Sequence, residues 1–128
     1  MKFFRMYLFS GLMVLFLLLT SCARKELTEV RTMEIQPIPL QAIPDGRYEG
    51  RFTYSNFEYA VEVLVENHQI TGIRVLQNRT SDYAKKAEGV LEKVVKEQKT
   101  NVEAVTGATT TSKALLKAVE NALLPAME

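Results

Sequence analysis

Thr106, Gly107, Ala108, Thr109, Thr110, Thr111 and Ser112 place five hydroxyl groups in seven residues with almost no side-chain bulk. Such a run lets an anionic group, a phosphate above all, come close to the backbone. An amphipathic segment follows at once, with Leu115, Ala118, Val119, Ala122 and Leu123 at helical spacing. A helix from about Thr111 to Leu124, stopped by Pro125, would add unpaired N–H groups and the positive end of its dipole. The residues alone also permit a plainer reading, in which Thr109 to Ser112 merely contain a redundant N-cap. Lys113 and Lys117, on the more polar side of that helix, are either solvated charges or help for a nearby phosphate.

The elements that must hold this junction are legible upstream. Pro44, Asp45 and Gly46 supply turn chemistry, and then Tyr48, Gly50, Phe52 and Tyr54 alternate with Arg47, Glu49, Arg51 and Thr53, the pattern of a strand with one buried face. In Glu58 to Glu66, Tyr59, Val61, Val63 and Val65 share one side, and the β-branched run supports a second strand. Asn67 and His68 suit the centres of a two-residue type I′ turn into a third strand, Gln69 to Leu76. His68, the only histidine, is therefore read as a turn residue and not as a metal ligand or base.

Ser81 or Asp82 can cap a helix running to about Gln98, with Ala84, Ala87, Leu91 and Val94 on one stripe. Gly89 weakens that helix by up to about 1 kcal/mol and is expected to mark close packing. The sum is an α+β domain over residues 43–125, a small antiparallel sheet of about three strands packed against two helices.

Glu103, Ala104, Val105, Thr106, Gly107, Ala108 and Thr109 resemble the flavinylation motif of the FMN-binding domain family. That motif runs acidic residue, two variable residues, Ser or Thr, Gly, Ala and Thr. Family members include peripheral subunits of ion-pumping respiratory complexes. The resemblance implies FMN joined through a phosphoester to Thr109, with Thr106, Gly107, Ala108, Thr110, Thr111 and Ser112 around it. It further implies a separate magnesium-dependent flavin transferase that uses FAD, with Glu103 serving its recognition. Glu103 stands where Asp is usual and is one methylene longer. The DGRYEG, SDYAKKA and EQKTNVEAVTGAT portions extend the resemblance over about 43–124. It leaves the flavin ring unplaced, with Tyr48, Tyr54 and Tyr83 as candidate neighbours.

Residues 1–21 read as an export signal: Lys2 and Arg5 precede an apolar run from Tyr7 to Leu19, broken only by Ser10 and Gly11 and too short for a comfortable membrane span. Leu19, Thr20, Ser21 and Cys22 resemble a bacterial lipobox, which makes Cys22, the only cysteine, the lipidated N-terminus of the mature protein. Residues 22–42, mixed in charge and carrying Pro37 and Pro39, read as a flexible tether. The domain is thus expected to be lipid-anchored at the cell envelope, outside the cytoplasm.

Net charge is +1, and removal of Lys2 and Arg5 leaves 16 − 2 = 14 basic against 15 acidic residues. Nothing in that balance demands nucleic acid. No paired carboxylates, catalytic triad, Cys and His cluster or Walker-type lysine is evident, which suits a redox carrier serving an unidentified partner better than a self-sufficient enzyme. A noncovalent flavin-binding sensor and a structural lipoprotein without cofactor are the other two classes that fit.

Overall fold

The computed structural model describes residues 27–127 together with Gly11 and Met13. The expected Cys22 lipidation site and, apart from those two residues, the expected export signal fall outside the described residues. Among the described residues no helix is long and apolar enough to cross a membrane.

Strands β1 (Gly46–Tyr54), β2 (Phe57–Glu66) and β3 (Gln69–Gln77) form one antiparallel sheet in the order β1-β2-β3. The period-two pattern decides which face is buried. Tyr59, Val61, Val63 and Val65 are inside, joined from β1 by Gly50 and Tyr54. On the other face Arg51 pairs with Glu49 at 2.8 Å and Glu58 at 2.6 Å, exposed contacts worth little to stability. The second turn has the expected form: Asn67 and His68 both adopt positive φ, 51° and 59°. The Nδ1 atom of His68 lies 3.3 and 3.2 Å from the carbonyl oxygens of Leu40 and Ile43, so the residue also secures the chain leading into β1.

Three helices complete the domain: α1 (Asp82–Ala87), α2 (Gly89–Glu97) and α3 (Thr109–Leu123). Ser81 caps α1, its hydroxyl accepting the Ala84 N–H at 3.2 Å. The single helix expected from Ser81 to Gln98 is divided at Glu88. There the Glu88 N–H bonds to Lys85 O and the Leu91 N–H to Glu88 O, three-residue steps that tighten the chain. Close packing is not what Gly89 serves, since a Cβ there would meet only Val105, at an ordinary 3.8 Å. The tight glycine is Gly50. A Cβ at this position would run into the Ala118 carbonyl and the Ala122 N–H of α3, so the helix backbone lies directly on β1.

Gln98 ends α2 in the left-handed conformation, φ 54°. Its side-chain amide accepts the Ile70 N–H at 2.8 Å and donates to Ile70 O at 2.9 Å, behaving as a one-residue strand partner for the edge of β3. Gln98→Ala is expected to cost about 1–3 kcal/mol by leaving these backbone groups unpaired. Urea unfolding should show a lower midpoint with an unchanged slope.

The free tether expected over 22–42 is corrected from Val30 onward. Helical residues 27–32 lead into an extended segment, and Val30, Ile35 and Ile38 join the same core as the sheet. Two buried polar side chains pair its backbone. Thr100 Oγ1 donates to Gln36 O at 2.6 Å and accepts the Ile38 N–H at 3.3 Å, while Glu120 Oε2 accepts the Gln36 N–H at 3.1 Å. The Glu120 charge is balanced by Lys117 at 2.8 Å. Apolar anchors and satisfied backbone groups therefore keep this arm on the domain.

Candidate functional site

Helix α3 starts at Thr109, two residues before the expected start, and its N-cap is Ala108, which offers no side-chain cap. The first helical bond runs from the Ser112 N–H to Ala108 O at 3.0 Å. The N–H groups of Thr109, Thr110 and Thr111 thus precede the helical ladder. Capping does not explain the hydroxyl-rich run, because none of its five hydroxyls caps α3.

The approach to this helix end is a turn closed by the Ala108 N–H on Val105 O at 3.0 Å. Gly107 takes φ +82° in it, a conformation that suits a residue without Cβ. A Cβ there would stand 3.7 Å from Lys86 Nζ of α1. Thr106 and Gly107 are exposed, Thr109 and Thr110 half-buried, and Ala108 buried beneath them.

Thr111 and Ser112 turn inward. Ser112 is fully buried and its hydroxyl accepts the Val105 N–H at 3.1 Å, so it braces the turn and does not face the opening. Thr111 meets the hydroxyl of Tyr59, whose ring stacks on Tyr54 with centroids 5.8 Å apart and planes 9° apart. Burial pushes the Tyr59 phenol well above the usual tyrosine range, and its hydrogen bond with Tyr54 adds to this while Thr111 opposes it. Tyr59 therefore stays a neutral hydrogen-bonding group under the helix end.

Of the other residues picked out by sequence, Glu103 is exposed and its backbone carbonyl accepts Lys93 Nζ at 3.3 Å. Lys117 is committed to Glu120. Among the tyrosines, Tyr48 bonds Pro44 O at 2.5 Å and Tyr54 is buried, whereas Tyr83 on α1 is 71% exposed. Lys86 was not singled out by sequence. It lies 21 residues before Gly107 inside a mixed charge run, and only the packing of α1 beside α3 brings the two together. A cavity of about 830 Å³ opens between β3 and the α1 and α2 pair, bordered by Arg74, Lys85, Lys86 and Lys96. No group of three or more potential metal ligands occurs among the described residues.

Residues 55–124, more than half of the chain, match the FMN-binding domain family. The chain belongs to that family. No curated protein matches it. An FMN-binding domain must accommodate a phosphate, and the helix end fits one. The left-handed glycine clears space, the early N–H groups of α3 favour an anion, and Lys86 brings a positive charge to the same turn. The match begins at Ser55, so β1 and the arm lie outside it although both share its core.

Proposed function

We propose that this FMN-binding domain is a membrane-anchored, extracytoplasmic electron-transfer protein that carries FMN covalently on the Thr109 hydroxyl. The observation that carries the reading is the placement of Thr109. It is the first residue of α3, half-buried, in a turn opened by Gly107 and free of any capping duty. Attachment forms a bond from Thr109 Oγ to the FMN-side phosphorus of FAD. It breaks the pyrophosphate bridge, AMP leaves, and the hydroxyl proton passes to solvent. A magnesium-dependent flavin transferase performs the step, and the exposed Glu103 serves its recognition.

Bound FMN supplies the redox chemistry. The chain's own residues fix its phosphate: the α3 N–H groups compensate the one negative charge left on the diester, and Thr106 and Thr110 offer hydroxyl donors. Of the candidate tyrosines, Tyr83 is the exposed one, and it shares α1 with Lys86. No acid or base in the protein is required for electron exchange with the partner.

After expression with a flavin transferase, visible flavin absorption should stay with the polypeptide through denaturation and precipitation. Release of all colour into the supernatant would reduce the reading to noncovalent binding, and a colourless protein would favour a structural role. The anchor has its own test. Cys22→Ala is expected to block lipidation and signal cleavage and to release the protein from the membrane fraction. A Cys22→Ala protein processed and sorted like the parent would remove the lipoprotein reading.

A further inference from the structure

We propose that Lys86 is the counter-ion of the FMN phosphodiester, an inference that rests on attachment at Thr109. Three observations point to it. The Lys86 ammonium lies at the acceptor turn, 3.7 Å from where a Gly107 Cβ would stand, although the two residues are far apart in sequence. It has no ion pair or hydrogen bond of its own among the described residues. The helix that carries it is fixed, with Ser81 capping its start and Ala84 and Ala87 buried beneath it.

Three other cations of the domain are already engaged, whereas Lys85 on α1 and Lys113 on α3 have no ion pair among the described residues and are not shown at the Gly107 turn. Lys117 pairs with Glu120, Lys93 donates to Glu103 O, and Arg74 pairs with Glu62 at 3.4 Å. Glu88, the acidic residue closest to Lys86 along the chain, accepts Asn78 Nδ2 at 3.0 Å. A diester keeps one negative charge at any pH the protein survives, so the pair is permanent once FMN is joined. The phosphate is then held from two sides, by the early N–H groups of α3 and by the ammonium across the turn. The ammonium acts as a point charge on a flexible stem, which suits a diester whose two free oxygens can rotate about the Thr109 bond.

The test is amine acylation of the full-length protein in its flavinylated form and as the unmodified Thr109→Ala variant, read peptide by peptide by mass spectrometry. Lys85, the neighbouring α1 residue and also without an ion pair, is the control. Flavinylation should lower Lys86 labelling by about threefold, because the ion pair withholds the amine from the reagent, and should leave Lys85 little changed. The protection should shrink in roughly 1 M salt, as an exposed ion pair does. Equal labelling of Lys86 in a protein whose mass shows FMN on Thr109 overturns the proposal and leaves attachment standing. Protection that salt does not alter overturns it too, since it means that the ring only covers the amine. Absence of the adduct from Thr109 is read from mass alone; it removes attachment and this pairing with it.

Discussion

Gly50→Ala is expected to remove about 3 kcal/mol or more of stability, and Gly50→Val to leave the domain unfolded. A Cβ at this position meets backbone of α3, the Ala118 carbonyl and the Ala122 N–H, as well as the Ala122 methyl at 2.7 Å. Overpacking against side chains typically costs about 1–3 kcal/mol because side chains can change rotamer. Backbone cannot, so the whole of α3 must lift from β1 and surrender its contact with a core that includes Leu115, Val119 and Leu123. A small domain has only about 5 kcal/mol or a little more to lose. The effect reaches the site, because the end of α3 that carries Thr109 is positioned by the same seating. Gly89→Ala provides the contrast. With one ordinary contact at 3.8 Å, it is expected to be neutral or to stabilise by up to about 1 kcal/mol. Urea unfolding of the three variants beside the parent checks the set, and a Gly50→Ala protein as stable as the parent would mean that α3 is not seated there.

Residues with strong local rules were readable without the structure. The alternation from Tyr48 to Tyr54 and from Tyr59 to Val65 placed two strands to within a residue or so, since a buried face imposes period two whatever lies above it. Asn67 and His68 announced their turn because few residue types accept positive φ in succession. The division at Glu88 was hidden, as Glu88 itself keeps helical angles, φ −59° and ψ −21°, and only the hydrogen-bond step changes. The arm was hidden for another reason. Ile35 and Ile38 sit among prolines and charges without a period, and the groups that pair its backbone, Thr100 and Glu120, are 62 to 84 residues away.

The candidate site divides in the same way. Its acceptor turn was legible through the order of Glu103, Thr106, Gly107, Ala108 and Thr109. Which hydroxyls face outward was not, because it depends on α3 beginning at Thr109 and thereby turning Thr111 and Ser112 into the protein. Lys86 required the fold itself.

The largest functional effect belongs to Thr109. Thr109→Ala is expected to abolish FMN attachment completely, for the variant has no oxygen at the position that bonds to phosphorus. Neighbouring hydroxyls do not substitute. Thr110 projects about 100° further round the helix, and Thr111 and Ser112 are buried with partners of their own. Gly107 and Ala108 contribute space and no nucleophile. Folding should survive the change, since the Thr109 side chain caps nothing and is not part of the core.

Intact and peptide mass of protein expressed with a flavin transferase therefore tests the central claim most directly. The parent and Thr110→Ala proteins should each carry one FMN less one water on the peptide containing Thr109, and Thr109→Ala should carry none. An adduct that persists in Thr109→Ala and disappears in Thr110→Ala or Thr111→Ala would contradict the assignment of the acceptor.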